Sequence, residues 1–443
     1  MFNYVIRRLL LMIPTFVGAT LLVFIILQMA PGGPLEKTIQ QIQMGGSQSG
    51  GEGGASSNIS SSGSGTLLPK RALKELERFY GFDKPLWKRY LIWLGVWQRE
   101  IKHRNLTFKL DETEIKKNMG KRRYAYIKKN GAQLQVFDKE GNISKLWKAR
   151  FDMDISNEEI ENIESLKKEG KLQNISKLEA TIFETELSGV LTGNLGKSYT
   201  YQIPVIEVMK PRFKVSILLG LTGLLISYLV CIPLGIKKAL SHGSTFDFVS
   251  SAIVFMAYSI PGWAFGGVLL VLFGGGSFWD VFPLGGLHSP QEIWQDLNIF
   301  EKVLDQIHHA ILPIIAWSIT GFATITVLMK NSLLDNMSQD YVRTAFAKGL
   351  SEKRVIWVHA IRNSLIPIAS GIGHIIGFII MGSYFIEMIF NINGFGKMSF
   401  QGILDRDYPI TMGFLVIVVM IRLIANLISD LALAAVDPRI RFK

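Results

Sequence analysis

Cysteine is nearly absent: Cys231 is the only one in 443 residues, which excludes a disulfide framework and any cysteine-based zinc site. Recognisable catalytic chemistry is missing as well. No nucleophile triad or paired-carboxylate site stands out, and of seven histidines only His308 and His309 adjoin, which is no metal-ligand pattern. Gly193-Asn-Leu-Gly196-Lys197-Ser198 has the letters of a phosphate loop, but two residues separate its glycines where four are needed. The chain reads as no enzyme. Charge is scarce too, at 19% of residues, and most of it lies between Met29 and Phe213. The net charge of +12 forms no single dense basic face, so it points to no nucleic-acid partner. Disorder throughout is excluded by 27 Phe, 12 Tyr and 9 Trp.

What the chain does have is long apolar runs. A hydrocarbon core about 30 Å thick needs about 20 mostly apolar helical residues. Six stretches fit: Leu9–Met29, Phe213–Ile236, Phe248–Phe273, Ala310–Met329, Ile366–Phe390 and Ile410–Leu433. Pro233, Pro261, Pro313 and Pro367 interrupt them, which a helix bundle tolerates because neighbours re-satisfy the freed backbone groups. Bases flank one side of these spans: Arg7-Arg8, Lys237-Lys238, the loop from Lys330 to Arg362, and Arg439, Arg441 and Lys443. Residues 274–309 carry Lys302 against five acids. The positive-inside rule therefore places both termini in the cytoplasm and residues 31–212 outside. The first apolar run is too long for a cleaved signal and reads as a retained anchor. The expectation is an all-α polytopic membrane protein with six transmembrane helices and a large extracytoplasmic α/β insertion after the first, with membrane lipid around it.

The domains divide as follows. Residues 1–30 form the first span, and 31–99 an outer segment with a Gly/Ser linker at 45–65. Residues 100–188 form an inserted module, and 189–443 a core with five spans and a cytoplasmic loop at 331–365. In the outer segment Leu73, Leu76, Phe79 and Tyr80 fall at helical spacing and Gly81 marks a stop. In the module, Tyr124–Ile127 and Gln133–Phe137 flank Asn130-Gly131, a hairpin signature. Ser156 and Glu159 read as a capping box. Lys116–Lys129 holds seven bases and no acid, interleaved with Tyr124 and Tyr126, which is either a docking face for an anionic partner or a solvated strand face.

The cytoplasmic loop is the most informative segment. A short helix from Asp340 to Lys348, ended by Gly349, is followed by Ser351 as cap of a second. The pair makes an elbow with Ala345, Lys348, Gly349 and Leu350 at its tip. The run YVRTAFAKGLSEKRVIWVHAIRNSLIP resembles the coupling loop of binding-protein-dependent ABC importer permeases, in its oligopeptide/dipeptide version. Tyr4–Thr15 with Ala30–Pro34, Tyr80–Pro85, Gly193–Ser198, Asn393–Gly396, Arg406–Pro409 and Asp437–Ile440 resemble the same family, in the form of its Yej-type permeases. That resemblance covers both ends and the spans, and leaves out 100–188. Arg343 and Thr344 stand where the general motif has Glu and Ala, and Phe346 where the peptide version often has Arg.

The resemblance implies a type I ABC importer permease fold in a bacterial inner membrane. It implies a second homologous permease subunit, two ATPase subunits or one fused ATPase, and an extracytoplasmic substrate-binding protein. ATP and magnesium would belong to the ATPase chains, with no cofactor in this one. Arg343, Thr344, Ala345, Lys348, Gly349, Leu350 and Ser351 become the ATPase-coupling residues. Oligopeptides are the implied cargo, with nickel or another solute of the same family as the alternative. A membrane sensor using the insertion and a self-contained secondary transporter are the rivals from other classes.

Ionisable groups at membrane depth are functional candidates. Arg422, Asn426 and Asp430 recur at four-residue steps and form one helical stripe. With His374 and Glu387 on the fifth span, Arg422 and Asn426 are the candidate translocation-path residues. Structural roles are the alternatives: a snorkelling Arg422, a hydrogen-bonded His374, and a Glu387 that holds the Asn391–Lys397 turn. Gly371, Gly373 and Gly377 allow close helix approach.

Overall fold

The computed structural model describes residues 2–40, 73, 76–78, 80–109, 112–120, 123–130, 133–144, 146–151, 177–276, 278–371 and 383–436. The chain divides into two compact units, Met1–Pro69 with Lys197–Lys443, and Lys70–Gly196.

The first unit is helical. Its principal helices are α1 (Phe2–Met29), α3 (Val205–Leu240), α4 (Thr245–Ser259), α5 (Gly262–Phe273), α6 (Ile299–Met337), α7 (Asp340–Ala347), α8 (Tyr384–Ile389), α9 (Phe395–Leu404) and α10 (Tyr408–Val436). Helix α2 (Leu86–Leu94) belongs to the other unit. Among the described residues, α1, α3, α6 and α10 are each long and apolar enough to cross a membrane. They contain the first, second, fourth and sixth expected spans.

The third expected span is not one straight rod. Helices α4 and α5 meet at 95°. The residue before a proline is driven out of the helical region by the proline ring. Ile260 is accordingly extended (φ −98°, ψ 121°), and Pro261 caps the next helix. The fifth expected span has helical ends, Ile366–Ser370 and α8. Its middle, with Gly373, His374 and Gly377, lies outside the described residues.

Helix α6 runs 39 residues, about 58 Å at 1.5 Å per residue, well beyond the apolar stretch that announced it. A capping box starts it: Glu301 N–H donates to Asn298 Oδ1 and Asn298 N–H to Glu301 Oε2, both at 2.9 Å. Helices α3 and α6 approach closely because α3 presents glycine. A Cβ on Gly223 would lie 2.8 Å from the Trp317 ring, and one on Gly235 would lie 2.7 Å from Met329 Cβ. Ser227 Oγ donates across this seam to the Ser318 carbonyl at 3.1 Å.

Helices α1 and α10 run antiparallel. Tyr4 Oη donates to Asp430 Oδ2 at 2.9 Å and Arg8 pairs with Asp430 at 2.7 Å. At their other ends Lys37 Nζ lies 3.2 Å from Asp405 Oδ1.

The second unit holds the insertion. Its strands are β1 (Arg99–Lys109), β2 (Glu114–Gly120), β3 (Arg123–Asn130), β4 (Gln133–Phe137), β5 (Trp147–Phe151) and β6 (Lys177–Glu186). They form two antiparallel sheets, ordered β1-β6-β5 and β2-β3-β4. The expected hairpin is present as β3–β4, with Asn130 opposite Gln133. Phe108, Phe151, Ala180 and Ile182 of one sheet and Ala125, Ile127 and Val136 of the other fill a common core.

Strand alternation splits the basic run. Lys116 and Lys128 are exposed on one face with Tyr124, while Lys117 and Lys129 are half-buried on the other. Lys116 Nζ lies 4.7 Å from the Tyr124 ring centre. The linker at 45–65 and the capping box at Ser156 lie outside the described residues. Gly81 is left-handed (φ +75°), and its N–H donates to the Arg78 carbonyl, as a stop requires.

Candidate coupling elbow and its polar supports

Helix α7 has two dissimilar faces. Val342 and Ala345 are buried in a core with Ile236 and Ala239 of α3, Met329 and Leu333 of α6, and Val355, Ile356 and Ala360. On the outward side Arg343, Thr344, Phe346, Lys348, Gly349 and Ser351 are exposed, and Leu350 is half-buried. The expected tip is therefore corrected at Ala345: the methyl group seats the elbow on its own bundle and does not face outward.

Gly349 ends the helix in the left-handed region (φ +77°), and its N–H donates to the Phe346 carbonyl at 2.9 Å. A Cβ there would meet nothing within 4 Å, so within this chain the backbone angle, not crowding, calls for glycine. Ser351 occupies the cap position, but its side chain makes no capping bond. The helix it was expected to open is also different. It runs as α only over Glu352–Arg354, then widens into a π-helix over Val355–Ala360 before Ile361–Ser364 resume α winding. The wide turn leaves Trp357 and Val358 exposed while Val355, Ile356 and Ala360 stay buried.

Beneath the elbow lies a charge cluster that the sequence reading missed. Lys238, counted there as a flanking base, is 1% exposed. Its ammonium donates to Ser250 Oγ and Ser251 Oγ at 2.8 Å and to the Asp247 carbonyl at 3.0 Å, and lies 3.2 Å from Asp247 Oδ1. Lys330 Nζ donates to both Asp247 oxygens at 2.7 and 2.8 Å. His242 Nδ1 is 3.2 Å from Asp247 Oδ2, and the Gly243 N–H also donates to that oxygen. The available signal was an acid in the first turn of α4, two lysines before it, and a single lysine late in an apolar helix.

The opposite end of the bundle holds a second polar network. Ser216 is 22 residues before Lys238 on α3, about 33 Å along the helix. Its hydroxyl donates to Glu387 Oε1 at 2.6 Å and accepts from the Phe395 N–H at 2.7 Å. Glu387 is buried, and its other oxygen accepts from the Lys397 N–H at 2.6 Å. The carboxylate thus closes the first turn of α9, and a Cβ on Gly394 would overlap it. Asp407 is fully buried and accepts from Ser198 Oγ at 2.5 Å, Thr200 N–H at 2.9 Å and Ile410 N–H at 3.2 Å. Segments singled out separately in the sequence therefore converge here: the end of Gly193–Ser198, the Asn393–Gly396 turn and Arg406–Pro409.

Of the other candidates, Arg422 is exposed at the middle of α10 and Asn426 is half-buried. Asp430 is held by Tyr4 and Arg8. His374 lies outside the described residues. Of the seven elbow residues, Ala345 alone turns inward, and the described path candidates Glu387, Arg422 and Asn426 are not gathered into one site.

Known proteins resemble this chain over both units. The family of binding-protein-dependent transport system inner membrane components matches residues 231–442. The peptidoglycan transport system permease protein YejB of Agrobacterium fabrum is 33% identical over 99% of this chain and 98% of its own length. The inner membrane ABC transporter permease protein YejB of Escherichia coli O157:H7 is 34% identical over 99% of both. The dipeptide transport system permease protein DppB of Escherichia coli K12 is 33% identical over 58% of this chain and 79% of its own length. The full-length matches overturn the expectation that residues 100–188 stand outside the resemblance.

Proposed function

The chain belongs to the family of binding-protein-dependent transport inner-membrane components, and from that premise we propose that it is one permease subunit of an ATP-driven peptide importer. The relatives named for dipeptide and peptidoglycan transport support cargo of peptide or peptide-bearing glycan character. The chain forms half of the translocation path, and a second homologous permease forms the other half. ATPase chains bind ATP and magnesium, and a binding protein delivers cargo at the far face. The chain crosses the membrane six times, with the elbow and both termini in the cytoplasm.

The observation that carries this reading is the two-faced elbow. Val342 and Ala345 anchor it to the ends of α3 and α6 while Arg343, Phe346, Lys348 and Gly349 are presented outward. Such a projection moves with whatever grips it and carries that motion into two long helices. Affinity purification in mild detergent tests the reading. The full chain is expected to bring down ATPase subunits and a second permease. Recovery without any ATPase, or peptide uptake by the chain reconstituted alone, would sink it.

A further inference from the structure

The cluster around Asp247 is placed where motion of the elbow must pass. Its two lysines sit on the same helical turns that carry the elbow's seat. Lys238 lies between Ile236 and Ala239, and Lys330 follows Met329, and these three apolar residues pack with Val342 and Ala345. Asp247 stands in the first turn of α4, which begins after the short turn His242–Ser244. One carboxylate thus ties the end of α3 and the late turns of α6 to the start of a third helix. Lys237 adds to the tie, with its ammonium 4.6 Å from the Phe246 ring centre.

From α4 the line continues through the 95° bend into α5. There Gly262 packs on Ala316 and Thr320 of α6, and Gly266 packs on Phe390. Trp263 stacks against Phe385 at 5.7 Å. Phe385 and Phe390 flank Glu387, which holds the far turn.

A tie meant only to stabilise is poorly made this way. Burying an ion pair costs solvation that its attraction often fails to offset, and apolar isosteres frequently serve stability as well. Two ammonium groups on one carboxylate also leave a net positive charge in the bundle. What the arrangement does supply is a fixed, directional link among three helices.

We propose that Asp247, with Lys238 and Lys330, is a transmission joint. It positions α4 and α5 so that displacement of the elbow reaches the turn at Glu387. The three are positioning residues and touch no cargo. This inference rests on the importer reading.

The test uses the complete complex, co-expressed with its ATPase and permease partners and placed in lipid nanodiscs. A Met388→Cys fluorescent reporter is placed on the exposed face of α8, where the buried Cys231 does not compete for label, and ATP with orthovanadate drives the change. The double variant Asp247→Asn/Lys330→Met removes the carboxylate's ion pairs and the link to α6 without adding a net charge, and leaves Lys238 its bonds to Ser250, Ser251 and the backbone carbonyl of residue 247. It is expected to assemble and hydrolyse ATP within about twofold of the unaltered complex, while the reporter change falls at least fivefold. Lys330→Arg, which keeps the tie, is expected to retain the reporter change.

A full reporter change in the assembled double variant overturns the proposal. If the double variant does not assemble, Lys330→Gln, which leaves Asp247 paired with Lys238, is read by the same criterion. Loss of assembly in both makes the cluster a folding requirement and also overturns the joint. Failure of the unaltered chain to capture any ATPase sinks the importer reading, and the joint with it.

Discussion

A guanidinium at membrane depth costs about 2.5–3.5 kcal/mol on insertion scales unless something meets it. Arg422 lies 14 residues from either end of α10, about 21 Å along the axis. It is exposed, and it forms no ion pair or hydrogen bond with a described residue of its own chain. Asp430, two turns along the stripe, is already engaged by Tyr4 and Arg8, so the stripe is not one continuous relay. No described residue of the chain supplies a counter-charge for Arg422, and a partner subunit, cargo or lipid phosphate could each do so. Peptides supply a terminal carboxylate, which a guanidinium binds in bidentate geometry. Arg422→Met is expected to lower peptide uptake at least tenfold while the complex assembles at its normal yield. Unchanged uptake with normal assembly would assign the side chain to lipid. The sequence exposed this residue because an arginine stands out in an apolar run. It did not expose Ser216, and it marked Ser198 and Asp407 only within separate segments, because their partners lie far away in the chain.

At the scale of the element, the elbow separates support from docking on a single turn of helix. Ala345 is 7% exposed and Phe346 44%. Ala345→Leu forces three carbons into a filled seat, at a cost of about 1–3 kcal/mol. A lower midpoint of thermal unfolding in detergent is the expected result. Phe346→Ala leaves that midpoint unchanged and weakens ATPase capture, since an aromatic side chain buried at an interface is a common anchor. Reversal of the two effects would mean that the faces are assigned the wrong way round. Helical periodicity made α7 and its glycine stop legible, but not the π-winding of Val355–Ala360, which a buried set at five-residue spacing imposes only through tertiary packing.

The insertion offers a pH prediction at the same scale. Burial alone would raise the Glu100 carboxyl, but His103, Lys84 and Arg150 beside it bring the value down to about 2 from 4.5. A depressed carboxylate stabilises the fold above its unfolded pKa, and that contribution is lost as pH falls through the folded value. Protection of β1 and β6 amides is therefore expected to weaken between pH 4.5 and 2. Glu100→Gln is expected to lower that protection already at pH 7 and to flatten its acid dependence. Hydrogen exchange, corrected for intrinsic rates, measures both, and an unaltered acid profile in the variant would remove the claim.

At the scale of the whole molecule, the long apolar helices were legible because they depend on run length. The bend at Ile260–Pro261 and the extent of α6 were not, because one is a local proline constraint and the other a polar extension of an apolar helix. The insertion was legible as an ordered module but not as a shared one, since short alternating strands carry no family motif by themselves.

One global claim follows from geometry independent of charge bias. The start of α1 lies against the end of α10 through Tyr4, Arg8 and Asp430. The two ends of the helical unit therefore lie together, the arrangement that an even number of crossings would produce. The elbow sits at the far end of α3 from Ser216, and hence on the side away from Ser198 and Asp407. Cys231 is the only cysteine and is fully buried, so single engineered cysteines can be read without replacing it. In intact cells a membrane-impermeant maleimide is expected to label Lys197→Cys and to leave Lys348→Cys unlabelled, with both labelled once the membrane is opened. Labelling of Lys348→Cys from outside intact cells would invert the molecule. An inverted elbow has no ATP-binding partner to engage, and the importer reading would fall with it.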